Sequence, residues 1–352
     1  MKITTQTIAE LAGVSRATVD KVIHGRPGVG EAKKAEILRI MNEQNYVPVP
    51  VRRKLRESAA SAPIRIAIIM SDLRDDFMTK FHKGTEIAAS EHLLTSLQVD
   101  YYYCSTYDPQ PTLQILEYLS TSGVNGIALR GFDDPDIIKK VNELSAAGIA
   151  VLTFDTDVPD TDRICYIGED LERTGSMSAS LLCRSIGYQG DIAVMIGSHS
   201  SETSIRRLRG FEKYLSQSAP EVRIVTIEET FSQPLIAYEK TRQVIERYPD
   251  LAGIWNSVSQ SEDIAKAIID AGKQHKIHFG ALSFSPEIIE LIRNGSIDHT
   301  IGQTSYKMGK LVVETMYDYL AGGIQPPKSI VHTPIYIGID ANIDLFSDKM
   351  LP

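Results

Sequence analysis

The sequence predicts a small all-α head followed by an α/β body built as two doubly wound, parallel-sheet lobes. Three observations predict it. Residues 1 to about 46 place apolar side chains at helical spacing. A stretch rich in Pro, Arg, Ala and Ser over 47–63 separates that head from the remainder. From Ile64 onward, strand-like runs alternate with amphipathic stretches, the pattern of parallel strands joined by right-handed crossovers.

In the head, Ile8, Leu11 and Ala12 mark a first helix, Val14, Val19, Val22 and Ile23 a second, and Ile37, Leu38, Ile40 and Met41 a third. The linker holds Pro48, Pro50 and Pro63, the basic cluster Arg52, Arg53, Lys54 and Arg56, and five small residues from Ser58 to Ala62. In the body, strand-like runs fall at Ile64–Met70, Gln98–Tyr103, Gly126–Leu129, Ala150–Phe154, Ile192–Ile196, Val222–Ile227, Gly253–Asn256, His278–Leu282 and Thr300–Gln303. In open α/β sheets ligands bind beyond the carboxyl ends of the strands, so chemistry is sought there.

A chain of 352 residues is long enough for two or three domains. No apolar run approaches the ~18 residues that span a bilayer. Residues Met1 to Gln6 show no apolar core and no small-residue cleavage site, which predicts no secretory leader and a cytoplasmic location. Cys104, Cys165 and Cys183 are far apart, the pattern of free thiols rather than a zinc site or disulfide frame. The net charge of −8 hides an asymmetry: residues 1–60 hold eleven Lys and Arg against six Asp and Glu, +5, which leaves −13 for the rest. A basic head on an acidic body fits a protein whose head alone meets a polyanion.

The segment Ile8 to Ile23 has the logic of a helix-turn-helix. Ala9 is small where two helices cross, Gly13 permits a left-handed turn, and Ser15 can cap the next helix. The second helix then offers Arg16, Ala17, Thr18 and Lys21 near its start, where base edges and phosphates are reached. Arg favours guanine through O6 and N7, and Ala can touch a thymine methyl. The rival reading is an αα-hairpin that meets no nucleic acid.

This stretch resembles the head of the lactose/galactose repressor (LacI/GalR) family. The likeness continues through Gly28-Val29, a third helix, and Asn45-Tyr46-Val47-Pro48, after which Val51 to Leu55 resembles the family's hinge helix. The resemblance implies DNA contacts at Thr4, Ser15, Arg16, Ala17, Thr18, Lys21, His24, Arg52 and Leu55, with Leu55 as an apolar wedge levered into the minor groove. Departures stand at Asp20, where the family has Ser, at His24, where it has Asn, and at Arg52, where it has a small Ala.

From about Ile64 the chain is similar to periplasmic sugar-binding proteins, so the resemblance implies two lobes of periplasmic-binding-protein type I around a ligand cleft. Asp75 and Phe77 fall where those proteins place a polar group and a ring, Asp155 at the end of the Ala150–Phe154 strand where they place a hydroxyl-binding Asp, and Arg207 in Ser204 to Phe211 where they place a ligand-binding Arg. Arg130, Asn256, Ser283 and Gln303 also sit at strand ends and complete the expected effector set. Ser283 stands where many relatives carry an acid, which argues against a ribose-like contact. Asp170 reads as hinge structure.

The expected organisation is a head over 1–47, a hinge helix and linker over 48–63, and a sensor and dimerisation domain over 64–352, its N-lobe about 64–168 and 304–332 and its C-lobe about 169–303 and 333–352. The partners implied are double-stranded operator DNA, a small polar effector (sugar or polyol, phosphorylated or not) and a second copy of the chain, with no membrane, cofactor or metal. An enzyme is disfavoured: no nucleophile elbow, P-loop, dinucleotide-binding Gly pattern or metal-spaced His cluster is present. The other readings are a stand-alone sugar receptor and a purine-responsive regulator.

Overall fold

The computed structural model describes residues 4–23, 28–43, 63–71, 76–92, 97–104 and 107–346. They divide into two compact units, the cut falling between Pro63 and Ile64.

The first unit holds three helices, α1 (Thr5–Leu11), α2 (Arg16–Ile23) and α3 (Glu31–Glu43). Thr4 caps α1 by accepting from the N–H of Thr7. Gly13, at φ +61, makes the turn, a backbone conformation that costs glycine little. Ser15 then accepts from the N–H of Thr18 at 3.1 Å and starts α2. Ile8, Ala9, Ala12, Val19, Val22, Ile37, Ile40 and Met41 form the core, whereas Leu11, expected on the buried face of α1, is exposed.

The second unit contains two six-stranded sheets. In chain order the elements of the first half are β1 (Ile64–Ser71), α4 (Asp76–Glu91), β2 (Leu97–Cys104), α5 (Gln110–Leu119), β3 (Gly126–Leu129), α6 (Pro135–Ala146), β4 (Ala150–Phe154) and β5 (Cys165–Gly168). Then come α7 (Leu171–Ser185), β6 (Gly190–Ile196), α8 (Glu202–Ser218), β7 (Val222–Glu229), α9 (Pro234–Arg247), β8 (Gly253–Asn256), α10 (Ser261–Asp270), β9 (His278–Leu282), α11 (Pro286–Arg293) and β10 (His299–Gln303). The chain closes with α12 (Ser305–Gly322), β11 (Ile330–His332), β12 (Ile335–Gly338) and a 3-10 turn (Ile343–Phe346). Strand order is β11-β5-β4-β3-β1-β2 in one sheet and β12-β10-β9-β8-β6-β7 in the other, so the lobes share one topology. All pairings are parallel except β10 with β12.

The chain crosses between lobes three times, after β5, β10 and β11. The Tyr166 segment is thus a full sheet member. β11 and β12 carry no period-2 signal because they are three- and four-residue edge strands, mostly half-exposed. Among the described residues, no helix is long and apolar enough to cross a membrane.

Glycine pairs set the helix spacing that positions the cleft. A Cβ on Gly175 in α7 would overlap the Arg207 carbonyl oxygen in α8, and one on Gly210 in α8 would overlap that of Glu172 in α7. The other lobe repeats the device with Gly84 in α4 against Tyr306 and Gly309 in α12 against Phe81. Helix propensity alone would make Gly210→Ala stabilising by about 1 kcal/mol. The backbone contact reverses the sign. We expect a loss of about 1–3 kcal/mol in urea unfolding, and a gain in stability would show that α7 and α8 are free to separate.

Candidate functional site

The two sheets turn their carboxyl ends toward one cavity of about 1110 Å³. The residue that follows a strand enters the cavity wall at matching places. Arg130 follows β3, its N–H donating to the Ile69 carbonyl on β1. Asp155 follows β4, its N–H donating to Ile167 of β5 at 3.1 Å. Ser283 follows β9, the strand of equal rank in the second lobe, its N–H donating to Ile301 of β10 at 2.7 Å.

Backbone strain concentrates here. Among the described residues, eight non-glycine residues have positive φ, and five of them line this cavity: Asp155, Phe231, Ser232, Gln260 and Ser283. Such conformations cost on the order of 1–3 kcal/mol each and persist where surrounding hydrogen bonds impose them. At Asp155, the Tyr166 hydroxyl donates to its carbonyl oxygen at 2.9 Å. That phenol is buried beside Asp155 and Glu169, and burial first, then those carboxylates, hold its pKa well above the ordinary tyrosine value.

Two ion pairs form the polar floor. Arg130 Nε donates to Asp155 Oδ2 at 2.8 Å. Arg207 Nε donates to Glu169 Oε1 at 2.6 Å, Nη2 bonds the same oxygen, and Nη1 donates to the Ser257 carbonyl at 2.9 Å. All four side chains are buried, and the described lining carries no other charged group, so its formal charge balances. Gln303 closes the floor, its Oε1 accepting from Thr333 at 2.7 Å beside the crossover segment.

Phe77, Arg130, Asp155, Arg207, Ser283 and Gln303 therefore share one cavity wall. Asn256 does not. It is fully buried, and its Nδ2 donates to Val258 O, Ser259 O and Ser261 Oγ. Its donors are consumed in folding the loop after β8, which corrects its assignment as an effector contact. Arg206, the neighbour of Arg207, pairs with Glu202 and does not line the cavity. Asp75 lies outside the described residues.

Sequence reasoning missed Glu169 and read only its neighbour Asp170, as hinge structure. Asp170 caps α7 by accepting from the N–H of Arg173 at 3.1 Å, while Glu169 turns into the cavity. The Glu169-Asp170 dipeptide was the available signal, since one residue starts a helix and the other is left to face inward. Tyr103, Tyr107 and Phe231 were missed as well. They come from the ends of edge strands β2 and β7, where no polar residue drew notice. Cys104 also lines the cavity, and burial raises its thiol pKa, as it does for Cys165, to about 12, and Cys183, to about 11.

In the head, Ser15, Arg16 and Ala17 are exposed and Thr18 is half-buried around the start of α2, while Lys21, expected near that start, is exposed in the helix's last turn. Thr4 is exposed, with its hydroxyl engaged in the α1 cap. His24, Arg52 and Leu55 lie outside the described residues.

Residues 66–324 match the periplasmic binding protein domain family, and residues 4–49 match the bacterial regulatory proteins of the lacI family. This chain belongs to the periplasmic binding protein domain family, with a lacI-type head in front of that domain. The chain is 26% identical over 220 residues to the HTH-type transcriptional regulator DegA of Bacillus subtilis, a match that spans 62% of each protein. It is 22% identical over 272 residues to the D-allose-binding periplasmic protein of Escherichia coli, covering 74% of this chain and 86% of that one. Its fold matches the glucose-galactose binding protein GanP of Geobacillus stearothermophilus with a TM-score of 0.73 at 24% identity, over 80% of this chain and 99% of that one. With its lacI-type head, this protein is a DNA-binding transcriptional regulator with a sensor of the sugar-binding-protein fold.

Proposed function

We propose that the chain is a repressor of the cytoplasm, that its cavity binds a neutral polyhydroxylated effector of the sugar class, and that binding sets the head's affinity for operator DNA. The observation that carries the effector class is the pairing of each cavity arginine with a buried carboxylate. A sugar hydroxyl both donates and accepts, and an Arg–Asp pair presents a donor beside an acceptor to adjacent hydroxyls. A phosphate would bring uncompensated negative charge to a floor whose positive charges are already matched, a cost that neutral ligands avoid. The unphosphorylated ligand is therefore preferred. The relatives named for D-allose and for glucose and galactose support the same class.

On this reading two copies of the chain place two heads on a pseudo-palindromic site, and effector binding redistributes the regulator between DNA-bound and free populations through residues 48–63.

Isothermal titration of the full chain with neutral monosaccharides and their 6-phosphates tests the reading, with Asp155→Ala as the variant. Removing the acceptor leaves Arg130 buried without its partner. We expect effector affinity to fall at least a hundredfold, roughly 3 kcal/mol, with operator affinity in the absence of effector retained. Unchanged sugar affinity in Asp155→Ala, or tighter binding of the 6-phosphates, would refute it.

A further inference from the structure

The mouth of the cavity differs in chemistry from its floor. Tyr103 is 46% exposed, Phe231 42% and Leu235 72%, and all three line this one cavity. Single exposed apolar side chains are ordinary, but three lining one cavity point to a surface that a ligand covers. They come from both lobes: Tyr103 ends β2, and Phe231 and Leu235 lie beyond β7.

Tyr107 joins them. Its ring meets Phe231 edge-on with centroids 6.5 Å apart, and its hydroxyl bonds Ser232 Oγ at 2.7 Å across the lobes. The backbone holds this arrangement under strain, with Phe231 at φ +49 and Ser232 at φ +51. Two backbone bonds anchor it, Thr230 N–H to Ile196 O and Phe231 N–H to Gly197 O, both 2.8 Å. Strain kept by anchoring, at a residue that presents an apolar ring to solvent, is what a binding surface requires.

Size points the same way. A cavity of about 1110 Å³ is at the upper end of the range of about 300–1,000 Å³ common for small-molecule sites. One sugar ring on the charged floor leaves most of it unfilled. Gln260, also at positive φ, adds a buried Oε1 with no hydrogen-bond partner, an acceptor free for a ligand hydroxyl.

We propose that the effector is a two-ring neutral glycoside, its sugar ring on the Arg130–Asp155 floor and its second ring against Tyr103, Phe231 and Leu235 at the mouth. This rests on the effector class proposed above. A second ring with an apolar face, aryl or the C–H face of another sugar, gains from covering these side chains, and the paired charges beneath reject charged substituents.

The test is calorimetric titration of the full chain with methyl glycosides, phenyl glycosides and disaccharides that share the same first sugar, taken across the common hexoses and pentoses. For the sugar that binds, the better two-ring ligand should bind at least about tenfold tighter than the methyl glycoside, and whether that ligand is phenyl or disaccharide identifies the second ring. Leu235→Ala and Tyr103→Ala, both on exposed positions, should each narrow that ratio to about threefold or less. If the methyl glycoside binds as tightly as both two-ring ligands, or the ratio survives both substitutions, the mouth subsite is refuted while the sugar reading stands. If no glycoside of any kind binds, both fall.

Discussion

Glu169→Ala is expected to destabilise the sensor by about 3–5 kcal/mol and to abolish effector binding. The Glu169 carboxylate is almost fully buried and supplies two of the three protein bonds that hold the Arg207 guanidinium. Its removal leaves a buried cation with the Ser257 carbonyl as its remaining partner, and breaking one side of a buried pair costs far more than the pair contributes. Glu169→Gln keeps an acceptor without its charge and should fall between wild type and Ala. Replacing both residues, as in Glu169→Gln with Arg207→Met, should recover stability without recovering binding, because no charge is then stranded. Urea unfolding measures the first effect and titration the second. A loss under 1 kcal/mol in Glu169→Ala would mean that water in the cavity solvates Arg207 and that the floor is not rigid.

Acid lability is the second large effect. His299, at the start of β10, is completely buried, and desolvation pulls its pKa down to about 4 against the small opposing pull of Asp298. Its Nε2 has no hydrogen-bond partner, and its ring packs against Gly280 on the neighbouring strand. The folded protein therefore keeps this imidazole neutral down to about pH 4, while the unfolded chain protonates it near its ordinary value of about 6.5. Between those values the unfolded state holds more protons, so stability rises with pH through the window and is complete above about 6.5. Falling from pH 6.5 to 4, this one residue should remove about 3 kcal/mol, at up to about 1.4 kcal/mol per pH unit. His299→Gln should flatten that part of the profile in urea melts taken between pH 7 and 4.5. An equal slope in wild type and variant would assign the acid sensitivity to other groups.

Neither effect could be read from sequence. His299 looks like any scattered histidine until β9 and α7 enclose it, and Glu169 differs from Asp170 only in which way the chain turns after β5. Of the cavity residues that were legible, Asp155, Arg130, Ser283 and Gln303 stand where a hydrophobic run ends and the end of a strand is itself visible in the sequence, while Phe77 and Arg207 came from the family resemblance. Asn256 shared that signal and yet is absorbed by its own loop, because a strand end shows where a side chain begins and not which neighbour takes its hydrogen bonds. The aromatic mouth left no trace, since Tyr103 and Phe231 are about 130 residues apart and share a cavity only when the two lobes face each other.

By itself, then, the sequence determined the three-helix head with its Gly13 turn and Ser15 cap, the alternation of strand and helix, and the carboxyl ends where polar residues gather. These are local matters of hydrophobic period, backbone freedom and capping, decided within a few residues. The tertiary structure alone decided the pairing of Arg207 with Glu169, the use of edge strands as the cavity mouth, and the burial of His299. Each depends on which distant segments pack together, and ion pairing and desolvation act through space rather than along the chain.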